Sequence, residues 1–590
     1  MNVSIRTSTV GKMTVSSEQI GPWSVSLSSR FETRDVEIVT LSLSSPSEAV
    51  PPSMGVYFEF PLDGIRCRWI PFDDQGYLPP NWDAPVQTDI ARSIPLCALI
   101  GLDDRSRLTM AFSEAGRFVE ARIGVHEANS LVSCYMTLFT QPEAPLSSYK
   151  AELRLDRRGL LFHDSIREAS DWLTSLDPVP PCTPPAAAFE PLYSSWYGFH
   201  KDLFAKEVEE ECAAAGPLGM KVLILDDGWQ EDEHLEAYAH CGDWKVVPRR
   251  IPDMRAHVEK VHECGLKYML WFALPLVGHE SAAFQRFKGK MLYSIDALGA
   301  SVFDPRFPEV RDYLASIFEK AVLDWDLDGF KIDFVNTMTA FKEDPAIADN
   351  FAGRDIRSVP DAIDALLAEI MRRAKAIKPD LLVEFRQPYI SPVIRKYGNM
   401  IRASDCPANV RANRIRTINL RLTSGGSAVH ADMLEWHVGE TAEDAAQQVL
   451  AVLFSVIQYS MRLKRLPESH LAMIRHWIAF TQAHRETLLH GVLRPRSVAE
   501  GYPVVESEGK GESIYAVYSR TAVCAVSKTM PVVYIVNATT DDSLCVDLPG
   551  MPRSVEAFDT FGRSSKTDCG KTGLQRLPVP KSGYLRVCFG

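Results

Sequence analysis

The stretch Asp328-Gly329-Phe330-Lys331-Ile332-Asp333-Phe334 has the apolar pattern of a buried strand, yet it carries a carboxylate where a core strand usually ends. Its aromatic and β-branched residues predict a buried parallel strand. Lys331 and Asp333 point to the same side, because strand side chains repeat every two residues. Burying two such charges is costly unless each is hydrogen-bonded, either by the other or by a ligand. On its own the stretch therefore fits either a structural ion pair or a catalytic nucleophile at Asp333.

The chain around this stretch alternates short apolar runs with helical segments, the pattern of βα units and a parallel sheet. Between these runs, residues 310–323 and 361–377 have the apolar spacing of amphipathic helices. Eight runs over this length match a (β/α)₈ barrel (a TIM barrel), with the last two runs the least distinct. The predicted strands are 189–195, 221–225, 266–273, 329–334, 381–385, 400–404, 428–430 and 454–458.

The two ends of the chain show a different pattern, short alternating strands separated by Pro, Gly, Ser and Asp clusters. Alternation of this kind predicts β-sandwich structure. The Pro-rich segment 177–185 follows a predicted helix at 165–176 and marks a domain boundary. We therefore predict an N-terminal β-sandwich at 1–180, the barrel at 181–495 and a small C-terminal antiparallel β-domain at 496–590.

Composition limits the class of protein. The 590 residues include 64 basic and 76 acidic side chains, a net charge of −12, which argues against nucleic acid or an anionic membrane as the main partner. No secretion signal and no run of about 18 apolar residues appears, so we expect a cytoplasmic protein. Twelve cysteines stand singly without a CxxC pair, which predicts reduced core thiols. We expect neither a metal site nor a cofactor.

Polar and aromatic residues follow the predicted strands, at the barrel end where active sites lie. Each has a structural alternative: Asp226 and Asp227 fit a turn before a glycine, the tryptophans fit ordinary packing, and His430 fits a hydrogen-bonded barrel histidine better than a base. Glu384 and Asp432 are rim groups without an assigned role. The strand-end segments are 195–198, 226–229, 271–275, 331–333, 384–387, 402–405 and 430–432.

Asp405 follows the sixth predicted strand, so it can face Asp333 across a ligand if both strands open at one mouth. Glycoside hydrolysis uses such a pair: one carboxylate attacks or activates water, and the other donates a proton to the leaving oxygen. Indole rings beside carboxylates suit a sugar ring, whose apolar face stacks while its hydroxyls are bound. The sequence thus indicates a sugar-processing site.

Five motifs follow one another along the chain: Leu225-Asp226-Asp227-Gly228-Trp229, Gly242-Asp243-Trp244, the segment 265–272, Lys331-Ile332-Asp333 and Ser404-Asp405. Together they resemble the ordered motifs of the melibiase-type α-galactosidases, glycoside hydrolase family 36 and its clan. The resemblance spans about 190 to 460, and it implies a retaining mechanism with Asp333 as the nucleophile and Asp405 as the acid and then the base. It also implies sugar contacts from Asp226, Asp227 and Lys331, with Trp196 and Trp244 as walls facing the ring.

Two segments depart from the family pattern. Where the family carries Cys-Ser-Gly-Gly-Gly on the fifth strand, this chain has residues 384–388, with Arg386 and Gln387 in place of glycines. At the end of the third strand the family usually has Phe-Glu-Pro-Glu. Here residues 272–276 read Phe272-Ala273-Leu274-Pro275-Leu276, so both glutamates are absent. Arg386 and Gln387 would narrow the pocket or recognise a different, even acidic, group. Arg386 and Arg402 therefore join the predicted substrate-binding residues.

The sequence leaves three functions open. The first is a retaining α-glycosidase acting on an α-galactoside or a related sugar, with an oligosaccharide or glycoside as its partner. The second is a raffinose-synthase-type transglycosylase, and the third is a catalytically silent sugar-binding protein. Retention of both Asp333 and Asp405 favours the enzymes. Family members commonly assemble, so a homo-oligomer is compatible with the resemblance, and Arg286 is a further candidate for reaching the sugar ring.

Overall fold

The computed structural model describes residues 1–72, 76–230, 237–340, 343–527, 530–566 and 571–589. Within these ranges no helix has both the length and the apolar content needed to cross a membrane. The chain forms an N-terminal sandwich, a central barrel and a C-terminal β-domain. This is the predicted fold class.

The N-terminal part consists of two six-stranded sheets whose facing side chains form one core, including Val15, Val56 and Leu155. The sheet orders are β1-β2-β5-β11-β10-β7 and β3-β4-β12-β9-β8-β6, and all pairs are antiparallel. The strands are β1 (Asn2–Thr7), β2 (Gly11–Ser16), β3 (Ser24–Thr33), β4 (Val36–Ala49), β5 (Met54–Pro61), β6 (Ile65–Trp69), β7 (Val86–Thr88), β8 (Leu96–Gly101), β9 (Ser106–Phe112), β10 (Val119–His126), β11 (Leu131–Leu138) and β12 (Leu146–Asp156).

The barrel is a parallel sheet in the order β22-β21-β20-β19-β15-β14-β13-β23. Parallel bridges from His430 to Val456 and from Leu434 to Tyr459 bring its two edge strands together and nearly close it. The strands of this region are β13 (Leu192–Ser194), β14 (Val222–Leu225), β15 (Lys267–Ala273), β16 (Leu276–Gly278), β17 (Met291–Ile295), β18 (Ala300–Phe303), β19 (Gly329–Asp333), β20 (Leu382–Arg386), β21 (Met400–Arg402), β22 (Ala428–His430) and β23 (Gln458–Tyr459).

The helices follow the strands and cover the outside of the barrel. α6 begins with a proline and α8 with the Ser358 side chain accepting from the Asp361 amide, two favourable helix starts. The helices are α1 (Phe162–Ser175), α2 (Trp196–Phe199), α3 (Ala205–Leu218), α4 (Met254–Glu263), α5 (Ala282–Arg286), α6 (Pro308–Trp325), α7 (Pro345–Ala348), α8 (Val359–Ile377), α9 (Val410–Thr423), α10 (Ala442–Ala451), α11 (Glu468–Ala483) and α12 (Arg485–His490).

Two features of the barrel differ from the sequence prediction. The eighth strand is Gln458–Tyr459, whereas the sequence predicts 454–458. Phe454 and Val456 are buried in the segment that connects to this strand, so their hydrophobicity reflects burial and not strand structure. The small sheet β16-β18-β17 was not predicted. It lies beside the loop after β19, where the Tyr293 hydroxyl donates to the Thr337 carbonyl at 2.5 Å.

The C-terminal part contains a seven-stranded sheet and a three-stranded sheet. β26 pairs with β28, and β27 with β29, in parallel, so the domain is mixed and not purely antiparallel as expected. The chain leaves the first sheet between β26 and β28 to add β27 to the second, and this crossover makes the parallel pairs. The strands are β24 (Val492–Arg496), β25 (Val504–Glu508), β26 (Glu512–Val517), β27 (Val523–Ala525), β28 (Val532–Asn537), β29 (Ser543–Leu548), β30 (Ser554–Phe558), β31 (Ser564–Lys566), β32 (Gly573–Pro578) and β33 (Tyr584–Cys588).

The N-terminal domain borders the carboxyl-terminal end of the barrel. The Arg92 guanidinium donates to the Asn336 carbonyl at 3.1 Å, just after β19, and the Ser93 amide donates to the Pro388 carbonyl at 2.6 Å, just after β20. The sandwich therefore forms one side of the barrel mouth.

Candidate active site

The barrel interior changes character along its axis. Its amino-terminal half is apolar, whereas the inward positions near the carboxyl end of β19 and β20 carry Lys331, Asp333, Glu384 and Arg386. Strand alternation places these residues on one face. A polar upper layer over an apolar base indicates that the mouth is the functional end. The apolar layer consists of Ala188, Leu192, Val222, Ile224, Met269, Leu382, Met400 and Ala428.

Asp333 is held by donors from four residues. Its Oδ1 accepts from the Phe334 amide at 2.7 Å, the Tyr389 hydroxyl at 2.8 Å and Arg386 Nε at 2.9 Å. Its Oδ2 accepts from Trp271 Nε1 at 3.2 Å. The two carboxylate oxygens thus differ, because Oδ1 is saturated and Oδ2 has one longer hydrogen bond.

The surroundings keep Asp333 ionised. Burial on its own raises the pKa of this carboxyl, since the residue is 8% exposed. The charges of Arg386 and Lys331, with the hydrogen bonds from Tyr389 and the Phe334 amide, outweigh burial and lower the pKa below its usual value. An ionised carboxylate with one less encumbered oxygen is suited to nucleophilic attack.

Lys331 pairs with Asp226 and not with its strand neighbour Asp333. Its Nζ lies 2.5 Å from Asp226 Oδ2, and both side chains are buried. The Asp226 amide donates to Ser195 Oγ at 2.9 Å, which ties the second strand end to the first. Lys331 is therefore a bridge between the ends of β14 and β19.

The turn after β14 fixes Asp227. Its Oδ1 accepts from Gln230 Nε2 at 2.7 Å, and Lys201 Nζ lies 3.5 Å from its Oδ2. Gly228 has φ +115°, and a Cβ there would lie 2.7 Å from the Lys201 Cα. Only glycine fits this position, so the turn and the adjacent carboxylates are specified together.

Arg402 connects three carboxylates. It donates to Asp432 Oδ1, to Asp405 Oδ1 at 2.8 Å, and lies 3.6 Å from Glu384 Oε1. Asp432 also accepts from the Tyr197 hydroxyl at 2.9 Å. Burial is the main reason that the pKa of Glu384 and that of Asp432 are raised, although Arg402 opposes both shifts. This guanidinium therefore sets the position of Asp405 relative to the end of β22.

Asp405 is the exposed member of the site, with 49% of its side chain accessible. Partial burial raises its pKa, but the charges of Arg402, Arg386 and Lys331 outweigh burial and hold the pKa well below its usual value. Arg386 and Lys331 also lower the pKa of Asp333, so one pair of cations acts on both carboxylates. β19, β20 and β21 are neighbouring parallel strands, and Arg386 at the end of β20 lies opposite Arg402 on β21. Because Arg386 bonds Asp333 and Arg402 bonds Asp405, the two carboxylates open at the same mouth.

The predicted tryptophans occupy different positions. Trp196 is half-buried beside the His200 ring, with centroids 4.8 Å apart. Trp244 is 5% exposed and packs against Trp229 and Trp271 at centroid distances of 5.9 and 6.1 Å. Since Trp271 donates to Asp333, Trp244 supports a side chain that touches the carboxylate.

Several other candidates have structural partners. His430 Nε2 lies 2.8 Å from the Ala188 carbonyl and its Nδ1 3.3 Å from Gln458, and burial lowers its pKa to about 4. Gln387 is fully buried, and its side chain accepts from the Ser404 amide and donates to the Pro71 carbonyl at 3.4 Å, so its polar atoms have structural partners. Arg286 is exposed and lies over the Phe287 and Tyr313 rings.

Eight of the predicted site residues lie at the mouth. They are Asp226, Asp227, Lys331, Asp333, Arg386, Arg402, Asp405 and Trp196. Sequence reasoning missed Trp271 and Tyr389, which both touch Asp333. Strand alternation places Trp271 on the inward face of β15 and was an available signal. Tyr389 follows a cis Gln387–Pro388 bond, and no sequence pattern predicted its direction. In the described part of the chain, no group of His, Cys, Asp and Glu residues is arranged to hold a metal ion.

A barrel mouth that presents two carboxylates among cations and indoles is compatible with glycoside chemistry. A family model described as Melibiase matches residues 190–491, just over half of the chain. The chain belongs to the melibiase family.

Curated relatives match over shorter segments. The α-galactosidase Mel36A of Lactobacillus acidophilus is 29% identical over 153 residues, which are 24% of this chain and 20% of the relative. The A type blood α-D-galactosamine galactosaminidase of Flavonifractor plautii is 28% identical over 193 residues, 29% of this chain and 17% of the relative. The matched segments thus span about a fifth of the length of these relatives.

Solved structures match over nearly the whole chain. The α-galactosidase from Lactobacillus brevis aligns with a TM-score of 0.64 and 14% identity, covering 100% of this chain and 85% of that one. A variant of the family 36 α-galactosidase AgaA of Geobacillus stearothermophilus, in complex with 1-deoxygalactonojirimycin, aligns at 0.63 and 15% identity, covering 98% and 83%. At this identity the likeness establishes the shared three-domain fold.

Proposed function

We propose that this protein is a retaining α-glycosidase that hydrolyses terminal α-linked galactose or a closely related sugar. The observation that carries the proposal is that Arg386 bonds Asp333 and Arg402 bonds Asp405, while the two arginines lie opposite each other on neighbouring strands. Membership of the melibiase family and the names of the curated relatives support the choice of an α-galactoside.

In the first step Asp333 Oδ2 attacks the anomeric carbon of the glycone. A bond forms between Oδ2 and that carbon, the glycosidic carbon–oxygen bond breaks, and Asp405 transfers its proton to the departing oxygen. Oδ1 stays hydrogen-bonded to Tyr389 and the Phe334 amide and becomes the carbonyl oxygen of the ester. These two donors hold the carboxylate in one orientation while Oδ2 reacts.

In the second step Asp405, now ionised, accepts a proton from water. The water oxygen bonds to the anomeric carbon, the ester bond to Asp333 breaks, and the sugar leaves with its original anomeric configuration. Arg386 keeps the released carboxylate ionised, because its Nε lies 2.9 Å from Asp333 Oδ1, so its main effect is on the pH at which Asp333 works.

The acid–base role places a condition on pH. Asp405 must be protonated for the first step, yet Arg402, Arg386 and Lys331 hold its pKa below the usual value. Asp333 must be ionised, and its pKa is also lowered. Both limbs of the pH profile of kcat/KM therefore lie at lower pH than two ordinary aspartates would give, and we expect an optimum on the acid side of neutrality.

The fifth strand argues for a neutral glycone. Asp333 already neutralises the guanidinium of Arg386, and Gln387 is buried, so this strand offers no uncompensated cation to an acidic sugar. Asp226 and Asp227 remain the groups suited to accept from sugar hydroxyls, and half-buried Trp196 is the indole suited to the ring face. A neutral hexose fits these groups better than a uronic acid does.

The test is hydrolysis of a panel of aryl α-glycosides carrying galactose, glucose, N-acetylgalactosamine, xylose or a uronic acid. We expect release from the galactoside, and α-galactose as the first product detected by proton NMR. Turnover of another neutral glycoside keeps the mechanism and changes the glycone. A first product with inverted configuration contradicts the retaining mechanism.

The same assay separates the alternatives. Products are analysed with and without an oligosaccharide acceptor, because a transglycosylase forms a new glycoside in place of free sugar. Sugar binding without turnover of any panel member would indicate the silent binding protein.

A further inference from the structure

A second cleft lies at the amino-terminal face of the barrel, opposite the mouth. Its volume is about 320 Å³, at the lower end of the range for small-molecule sites. It is lined by segments that precede the strands β13, β22 and β23, and by the connection from α12 to β24. The lining residues include Arg167, Arg421, Gly426, Ser427 and His490.

Arg421 brings an uncompensated positive charge to this cleft. Its Nη1 donates to the carbonyls of Phe454 at 2.5 Å and Leu488 at 2.6 Å, and Nη2 to Gly491 at 3.4 Å. Carbonyl oxygens satisfy hydrogen bonds but leave the cation without a counter-charge. Among the described residues no carboxylate forms an ion pair with Arg421, and the one charge that acts on it is that of Arg167.

Arg167 adds a second guanidinium. Its Nη2 donates to the Leu493 carbonyl at 3.1 Å. Its acidic neighbour Asp164 lies 3.6 Å away with 44% of its side chain exposed, a geometry that stabilises little. Burial and the charge of Arg167 together lower the pKa of Arg421 to about 10. Both guanidinium groups line the same cleft, so two like charges face it and a bound anion would offset them.

The remaining lining fits an anion. It contains no aspartate or glutamate among the described residues. Ser427 is 7% exposed, and its hydroxyl has no hydrogen-bond partner in the described part of the chain. A Cβ at Gly426 would meet nothing within 4 Å, so the backbone beside the arginines is open.

We propose that this cleft binds a small anion of monosaccharide size, whose phosphoryl or carboxyl group is held by the guanidinium groups of Arg167 and Arg421. Guanidinium groups bind both kinds of head group through paired hydrogen bonds, and the volume leaves room for a sugar-sized body. The site is distinct from the mouth, because its residues lie at the other end of the strands.

The test is isothermal titration calorimetry on the full chain at low ionic strength. Four probes are titrated: inorganic phosphate, hexose 6-phosphate, gluconate and glucose. We expect saturable binding of hexose 6-phosphate or gluconate, weaker binding of inorganic phosphate and no binding of glucose. Whichever of hexose 6-phosphate and gluconate binds with the higher affinity identifies the preferred head group, phosphoryl or carboxyl. Added salt weakens the binding, because the attraction is electrostatic.

Two variants report on the site without removing the Arg421 contacts. Arg167→Gln removes one cation, and Gly426→Glu adds a carboxylate in open space; each should weaken binding about tenfold or more. Arg475→Gln is the matched control, since Arg475 is an exposed arginine on α11 outside the cleft. Asp333→Asn should bind the probes as the wild type does, which separates the cleft from the mouth. Thermal melts check that the variants fold.

Three results would overturn the proposal. They are the absence of saturable binding of every anionic probe, equal affinity in wild type and Arg167→Gln, and equal binding of glucose and hexose 6-phosphate.

Discussion

The ends of β19 and β21 each present a carboxylate to the same mouth, but their surroundings differ. Within the described residues, Asp333 is 8% exposed and takes hydrogen bonds from four residues, whereas the Asp405 side chain is 49% exposed and accepts from one arginine. A nucleophile gains from a fixed direction, and a proton carrier gains from access to the leaving group and to water. The difference therefore supports the proposed roles, with Asp333 as the nucleophile and Asp405 as the proton carrier.

The largest expected effect is that of Asp333→Asn, which removes the attacking oxygen. We expect kcat on an aryl α-galactoside to fall by more than about 10⁴-fold, as for loss of a nucleophile in other enzymes. Asp324→Asn, an exposed change on α6, is the control. Turnover that survives in Asp333→Asn would mean that another group attacks.

Asp405→Asn should cost less, about 10²- to 10⁴-fold, because an activated phenol leaves without a proton. The loss should be larger for an alkyl galactoside than for a nitrophenyl galactoside. Added azide should restore turnover of the nitrophenyl substrate and give an α-galactosyl azide. Equal losses on both substrates would remove Asp405 from the acid role.

Tyr389→Phe tests whether the saturated oxygen of Asp333 matters. Loss of one hydrogen bond to a charged group costs about 1.5–3 kcal/mol at most, so we expect kcat to fall roughly ten- to a hundredfold. The acidic limb of the pH profile should also move to higher pH, because the Tyr389 hydrogen bond lowers the pKa of Asp333 and its loss raises that pKa. Tyr397→Phe is the matched control, since its hydroxyl binds Asp364 away from the mouth. An unchanged acidic limb in Tyr389→Phe would contradict the assigned contact.

Arg386→Gln should produce the smallest change in rate but a displaced pH profile. Arg386 lowers the pKa of both Asp333 and Asp405, so its removal raises both. The acidic and the alkaline limbs of kcat/KM should then move to higher pH together, by about one unit or more. Arg372→Gln, an exposed change on α8, should leave the profile in place. Movement of only one limb would show that Arg386 acts on one carboxylate.

Much of the barrel followed from local pattern. β19 and β22 lie within one residue of the predicted runs 329–334 and 428–430, because apolar content and strand length are local properties. The eighth strand and the sheet β16-β18-β17 did not follow, since short strands contain too few residues for a period of two to be distinctive. The parallel pairs in the C-terminal domain depend on a crossover between sheets, which no local pattern records.

The sequence by itself placed the strand-end residues of the barrel, Lys331 and Asp333 among them, at the mouth. Alternation along a strand places Lys331 and Asp333 on one face, and the strand ends of a parallel barrel meet at one rim. Only the tertiary structure decided the partners: Lys331 bonds Asp226, Arg386 bonds Asp333, and Gln387 turns away from the mouth. The physical reason is that strand direction is fixed by backbone geometry, whereas an ion pair depends on side chains from elements distant in the sequence.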